Sequence, residues 1–296
     1  MEVKWDGIRA QVVFDRRSLG VRSRRGRSWA DEFPELQELA GVLGNRRVVL
    51  DGELVCLGSD GKPDFAALRA RLGVSRARAA AAQRRSPASL VLFDVLHLDG
   101  RAVRELPYCR RRELLAALAL EGPAWRTPRQ FVGEEGEALV RATAEQGLEG
   151  VVAKRLDSPY TPGRRSSTWV KHKHRRRERF VVTGWRERDR ALPEFLLARR
   201  ALDGSLRPAG SASLGLSAAQ LAELLGALAA HELPSRRRRS SVRWAAPIIE
   251  VDADIHGPVN GAVRDAVLRS VSFPGAPSQH DDMSLPAAFD ERAPTD

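Results

Sequence analysis

The sequence predicts an α+β chain in two parts, a mixed sheet-and-helix domain followed by a small β-barrel. Three observations carry this. Apolar strand-like runs alternate with helical stretches through the first half. A basic block, Lys171-His172-Lys173-His174-Arg175-Arg176-Arg177, interrupts the chain after that pattern. Short strands around a single helix follow it, the pattern of a small barrel such as an OB-fold.

The strands of the first half are expected at Ala10–Phe14, Val48–Leu57, Leu90–Leu96 and Gly150–Lys154. Helices are expected at Phe33–Leu43, Ala66–Leu72, Arg110–Leu118 and Glu134–Gln146. Asp60-Gly61 and Asp99-Gly100 mark turns. The Ala/Arg-rich stretch Ser75–Arg85 reads as a surface helix or an insertion, solvated or facing nucleic acid. The first domain therefore spans residues 1–173, with the basic block as a hinge. The second, 174–273, contains strands at Phe180–Gly184, Glu194–Ala198 and Ile248–Val251 and a helix at Ala218–Ala230. Arg236–Arg239 is a second basic run, in a loop. From Pro274 the chain loses periodicity and reads as a disordered tail, 274–296.

Composition narrows the function. The balance of 49 Lys+Arg against 38 Asp+Glu gives a net charge of +11, which suits a polyanionic partner. An arginine-rich, high-GC genome produces the same bias, so charge gains weight only where it falls at meaningful places. No apolar run approaches the ~20 residues of a membrane helix, and a reducing cytoplasm fits Cys56 and Cys109, too few for a disulfide framework or a four-cysteine zinc site.

Five motifs, in order, carry chemistry: Glu2-Val3-Lys4-Trp5-Asp6-Gly7-Ile8-Arg9; Leu50-Asp51-Gly52-Glu53-Leu54; Leu92-Phe93-Asp94-Val95-Leu96; Glu149-Gly150-Val151-Val152-Ala153-Lys154; and Trp169-Val170-Lys171-His172-Lys173. A lysine attacks only as the free amine, so a nucleophilic Lys4 needs desolvation or cationic neighbours; Arg9, Lys154, Lys171 and Lys173 are the candidates. Glu53 is a carboxylate inside an apolar strand, which a ribose hydroxyl, a Mg²⁺ ion or an arginine would satisfy. Lys171 and Lys173, two apart on a strand, share a face. With Glu149 for a metal they form a phosphoryl-transfer constellation that works by positioning and charge neutralisation.

The ordered set E-x-K-x-D-G-x-R, D-G-E-L, F-D-x-L, E-G-V-V-x-K and W-x-K-x-K resembles the covalent lysine nucleotidyltransferases. It is most similar to ATP-dependent DNA ligases of the bacterial end-joining type (ligase D or ligase C). The segment Ala153–Lys173 is especially close to those enzymes. The resemblance covers roughly residues 1–272. It implies an ATP-grasp-like adenylation domain followed by an OB-fold, ATP and Mg²⁺ or Mn²⁺ as cofactors, and a lysine–AMP phosphoramidate on Lys4. It also implies a nucleotide contact for Arg9, Arg24, Lys154, Lys171 and Lys173, adenine stacking on Phe93, and metal or ribose binding at Glu53 and Glu149. Arg264 and Arg269, in a degenerate final motif where Ala266 replaces a proline, would meet the pyrophosphate of ATP. Arg24, Arg25, Arg164, Arg165, Arg175, Arg176 and Arg177 are the expected DNA contacts.

Glu2 can accept from the 6-amino group of adenine, whereas guanine offers a carbonyl there, so Glu2 favours ATP over GTP. The expected partner is nicked or broken double-stranded DNA, bound by a monomer associated with the nucleoid, with Ku as a family-level partner. Competing readings are an RNA ligase or capping-type enzyme, and a DNA-binding remnant without activity. The remnant reading arises because family members carry a segment ahead of the nucleophile strand, whereas three residues precede Lys4 here. A short chain without cysteines for a zinc module disfavours an NAD-dependent ligase.

Overall fold

The computed structural model describes residues 1–164, 166–188, 191–234, 241–256 and 263–273. The chain divides into two compact units, Met1–Lys173 and His174–Asp296.

The first unit contains two sheets. The larger uses β2 (Ile8–Phe14), β3 (Leu19–Ser23), β4 (Val48–Cys56) and β5 (Ala88–Leu98), in the order β3-β2-β4-β5, with short strands extending it past β5. The smaller is β1 (Glu2–Val3), β8 (Gly150–Lys154) and β9 (Trp169–Lys173), in the order β1-β8-β9. The intervening short strands are β6 (Arg101–Ala102) and β7 (Trp125–Arg126).

Period-2 alternation sorts the larger sheet into two faces. Ala10, Val12 and Phe14 of β2, and Val48, Leu50, Leu54 and Cys56 of β4, enter the core. They pack on Trp29, Phe33, Leu36, Leu39, Leu43, Leu68 and Leu115. The other face carries Arg9, Asp51 and Glu53, with Arg9 directly opposite Glu53 across β2 and β4. On β5 the register slips between the pairs Asp51–Asp94 and Gly52–Leu92. This bulge leaves Phe93 as the extra residue, a device that re-aims a side chain. The residues that enter the hydrophobic core accordingly fall at Leu90 and Leu92 before it and at Val95 after it.

The helices are α1 (Leu39–Leu43), α2 (Phe65–Arg71), α3 (Arg76–Arg85), α4 (Tyr108–Ala117) and α5 (Glu134–Glu145). The single helix expected over Phe33–Leu43 is instead a 3₁₀ segment, Pro34–Glu38, leading into α1. Pro34 fits a first turn, where its missing N–H leaves no bond unmade. The Ala/Arg stretch is helical, with only Ala79 buried.

In the second unit the basic block read as a hinge is strand on both sides of His174. Lys173 ends β9, and Arg175 begins β10 (Arg175–Arg188). The unit continues with β11 (Ala191–Arg200), β12 (Leu206–Ser213), α6 (Ala218–Ala230), β13 (Glu232–Leu233), β14 (Val242–Ala245), β15 (Glu250–His256) and β16 (Val263–Ser272). β10 pairs with β15 along its first half and with β11 along its second. β11 continues to β12, β12 runs parallel to β16, and β16 returns to β15, so five strands close a ring. Phe180, Trp185, Phe195, Leu197, Val251 and Leu268 fill it together with Leu224 and Leu228 of α6. A capping box between Ser217 and Gln220 starts that helix. β12 and β16 escaped the sequence reading because Pro208, Gly210 and scattered polar residues blur their alternation.

Candidate active site

The smaller sheet assembles one end of the site. Lys4 follows β1, and its backbone N–H donates to the Gly150 carbonyl at 2.9 Å. Gly150 lies opposite Lys173, and Val152 lies between Glu2 and Lys171. Motifs from the two ends of the first unit thus become neighbours. Gly150 has φ of +146°, and a Cβ there would stand 2.0 Å from the His172 carbonyl oxygen, so only glycine fits. Gly7 is similarly constrained: a Cβ would lie 2.3 Å from the Leu54 carbonyl oxygen and 2.9 Å from Cγ of Glu53. That close approach brings the Lys4–Arg9 turn against the strand carrying Glu53.

Around Lys4 the charges are dense. Its ammonium pairs with Oε2 of Glu149, and Nζ of Lys173 lies 3.3 Å from Oε1 of the same carboxylate. Glu53 makes no hydrogen bond or ion pair among the described residues, so the arginine partner considered for it is not found there. Burial pushes its carboxyl up to about 7, against the pull of Lys4, Arg9 and Lys171. Desolvation beside Lys4 and Arg9 holds the Lys171 ammonium below the ordinary lysine range, partly offset by Glu53 and Glu149.

The other end is sealed. Glu2 is 4% exposed. Its carboxylate accepts from the Tyr108 hydroxyl and from Nζ of Lys154 at 2.5 Å, and Nε of Arg112 lies 3.5 Å away. Burial works against its charge, yet Lys154 and Arg112 hold it below the usual carboxylate range. Lys154 Nζ sits 4.3 Å from the ring centres of both Phe93 and Trp169 and 4.9 Å from that of Tyr108. Burial lowers its pKa, and Glu2 opposes that. Trp169 meets Phe93, Tyr108 and Tyr160 edge-on at 5.9, 6.0 and 5.9 Å.

Arg9 joins the two ends. Nε donates to Asp51 Oδ1 at 3.0 Å, and Nη2 donates to Asp51 Oδ2 at 2.6 Å and to the Tyr160 hydroxyl at 3.0 Å. Beneath lies a fully buried pair, Asp94–Arg111, at 2.8 and 3.0 Å. Burial raises the Asp94 pKa despite this partner. The pair explains the aspartate of F-D-V-L.

The structure thus brings together Lys4, Glu2, Arg9, Glu53, Phe93, Glu149, Lys154, Lys171 and Lys173. Other expected residues lie apart from this cluster. Arg24 and Arg25 occupy an exposed turn after β3, and Arg164 is exposed; none has a hydrogen bond or ion pair among the described residues. Arg176 pairs with Glu178 at 2.5 Å, Arg177 with Asp254 at 3.1 Å, and Arg175 is exposed. Arg269 is tied to Asp254 at 2.7 Å. Arg165, the side chain of Arg264, the run Arg236–Arg239 and the tail from residue 274 lie outside the described residues. Sequence reasoning missed Tyr108, Arg111, Arg112, Tyr160 and Asp51. One signal was present: the chain has two tyrosines, and both end here.

Among the described residues no three His, Cys, Asp or Glu side chains gather as a metal cage. Glu53 and Glu149 fit a different mode. Mg²⁺ keeps several waters and takes one or two carboxylates plus substrate phosphate oxygens, and Glu53 beside Lys4, without a partner among the described residues, has the donor chemistry such an ion would use. No helix among the described residues is long and apolar enough to cross a membrane.

Comparison with known proteins gives the family. A family model described as the ATP dependent DNA ligase domain matches residues 1–173. The multifunctional non-homologous end joining DNA repair protein LigD of Mycobacterium tuberculosis is 38% identical over 232 residues, 77% of this chain and 29% of that protein. A probable DNA ligase of Streptomyces avermitilis is 36% identical over 75% of this chain and 44% of its own length. The chain therefore spans less than half of these relatives. The crystal structure of the ligase domain from M. tuberculosis LigD matches with a TM-score of 0.53 at 33% identity, covering 92% of this chain and 88% of that one. A mycobacterial DNA ligase D complexed with ATP and MES matches equally well, with a TM-score of 0.53 and 33% identity over 94% and 90%. With its motifs folded into one site, this chain belongs to the ATP-dependent DNA ligase domain family.

Proposed function

We propose that the chain seals nicks in duplex DNA with ATP, in repair or end joining. The Lys4 ammonium gives up a proton, for which Glu149 is the acceptor at hand, its free amine attacks the α-phosphorus, the bond to the β-phosphate oxygen breaks, and pyrophosphate leaves. The AMP then passes from Lys4 to a 5′-phosphate. A 3′-hydroxyl attacks that phosphate, and AMP is released as the phosphodiester forms. The observation that carries this reading is the Lys4 ammonium held by Glu149 within a ring of Lys173, Lys171, Arg9 and Glu53. Lys171, Lys173 and Arg9 neutralise phosphate charge, while Glu53 and Glu149 hold divalent metal or ribose. A bound Mg²⁺ would supply charge neutralisation at the phosphate oxygens.

The strand ring supports an OB-fold for the second unit. Its five strands follow one another as first, second, third, fifth and fourth, with α6 between the third and fourth. Arg264 and Arg269 of that unit are proposed to meet the pyrophosphate, which requires Arg269 to leave Asp254. The exposed Arg24, Arg25, Arg164 and Arg175, with Arg165, Arg176 and Arg177, are proposed to hold DNA phosphates. The end-joining names of the relatives favour that pathway and a Ku-type partner.

Incubation with ATP and Mg²⁺ followed by intact-mass measurement tests the reading. An AMP adduct is expected on the wild type and none on Lys4→Ala. An adduct that persists on Lys4→Ala overturns the assignment.

A further inference from the structure

Arg9 is too well held to be an ordinary half-exposed arginine. Its side chain is 41% exposed, yet Asp51 takes Nε and Nη2 in a forked pair. The Tyr160 hydroxyl closes a triangle: it accepts from Nη2 at 3.0 Å and donates to Asp51 Oδ2 at 2.8 Å. The ring of Tyr160 also lies beside the guanidinium, 6.0 Å from ring centre to Cζ. Nε and Nη2 are thereby committed. Nη1 is the end left to donate, with no acceptor among the described residues.

Tyr160 is itself fixed from below. Its backbone N–H donates to the Arg104 carbonyl at 2.8 Å. Two residues earlier, the buried Ser158 offers its carbonyl to Nη1 of Arg111 at 3.1 Å. Arg111 is clamped by Asp94 and also donates to the Leu106 carbonyl at 2.5 Å. A loop between two motif strands is thus pinned to the aspartate of F-D-V-L, and Pro159 and Pro162 restrict it further.

We infer that Tyr160 is a positioning residue, whose hydroxyl with Asp51 locks the Arg9 guanidinium and presents Nη1 to an acceptor oxygen of the bound nucleotide. The inference deepens the proposed function and rests on it. A preset donor avoids the loss of side-chain freedom that a mobile arginine suffers on binding.

The test uses the whole chain carrying Tyr160→Phe, which keeps the ring and removes the hydroxyl, alongside Arg9→Gln and the double variant. Two readouts are taken: the KM and kcat of Lys4 adenylation, and calorimetric binding of an ATP analogue with a methylene bridge between the α- and β-phosphorus atoms. Tyr160→Phe should raise both KM and the analogue's Kd by about 10-fold, the scale of one hydrogen bond to a charged group, with kcat changed less than 2-fold. In the Arg9→Gln background the same change should do almost nothing, because Tyr160 acts through Arg9. Melting temperature should hold within about 2 °C. Repeating the binding with 2′- and 3′-deoxy analogues identifies the acceptor. A penalty that disappears with one of them assigns a ribose hydroxyl, and a penalty that persists assigns a phosphate oxygen. Full additivity of the two substitutions, or unchanged KM and Kd in Tyr160→Phe, overturns the inference while leaving the ligase reading intact. A wild type that forms no adduct but binds the analogue, with the Tyr160 penalty present, overturns the ligase reading alone. Failure of the wild type to bind at all overturns both.

Discussion

Glu2, in β1, and Lys4, just after it, stand two residues apart, and each belongs to a carboxylate–ammonium pair. Their surroundings differ. The Glu2–Lys154 pair is 5% and 4% exposed, roofed by three aromatic rings and supported by Tyr108 and Arg112. The Lys4–Glu149 pair is 15% and 11% exposed, shares its carboxylate with Lys173, and faces Glu53 and Lys171. The first pair is saturated with partners, so it holds shape. The second is crowded with like charges and less deeply buried, so its partners are exchangeable. Under the proposed function the chemistry would run at the second pair, and the first would form a wall beside the nucleotide.

Substitution at the two pairs separates these roles most sharply. Lys4→Ala should abolish the AMP adduct in intact mass, with little change in thermal unfolding. Glu149→Gln should lower adenylation by about 100-fold and shift the melting temperature less than Glu2→Gln does, since this pair is the less buried of the two and Glu149 is shared by two lysines. Glu2→Gln should do the reverse in stability. It leaves the buried Lys154 without its counter-charge, a loss of about 3 kcal/mol in chemical denaturation. Equal destabilisation by both glutamine variants would erase the distinction drawn between the pairs.

The open pair should also be the pH-sensitive one. Glu53 beside Lys4 is pushed up to about 7. Adenylation should therefore rise as pH passes upward through about 7, when Glu53 becomes the charged ligand, and Glu53→Gln should flatten that rise and lower its plateau. Stability moves oppositely. The folded state holds the Glu53 proton more tightly than the unfolded chain, so its contribution falls as pH climbs from the ordinary glutamate range to about 7 and then levels off. A pH profile unchanged by Glu53→Gln excludes this carboxylate as the titrating group.

The smallest effect concerns DNA affinity. Unpaired Arg24 or Arg164, changed to Ala, should flatten the salt dependence of nicked-duplex binding by about one unit of slope. Arg177 should contribute less, because Asp254 already neutralises it. A larger change at Arg177 than at Arg24 would reverse the proposed ranking.

Several elements were legible in the sequence for identifiable reasons. β8 and α6 fall at the expected bounds, Gly150–Lys154 and Ala218–Ala230, because their apolar patterns are uninterrupted. β2 begins two residues before the reading, β5 extends two residues beyond it at each end, and β4 stops one residue short of it. The motif lysines and glutamates, which the fold brings together, were legible because the motif pattern sets their types and spacing. The partnerships of Tyr108, Arg112 and Tyr160 were not, since a lone tyrosine or arginine has no periodicity and its partner lies far along the chain. Tyr160 meets Asp51 across 109 positions and Lys154 meets Glu2 across 152.

The sequence by itself determined the residue types of the site, the alternation that gives the larger sheet a core face and a polar face, and the glycines that permit close backbone approach. Only the tertiary structure decided which charge meets which. The bulge at Phe93 aims that ring toward Lys154, and the pairing of β1 with β8 sets Lys4 beside Glu149. The reason is physical. Local pattern reports burial and conformation, which depend on near neighbours, whereas ion pairing and desolvation depend on groups that become neighbours only when distant strands align.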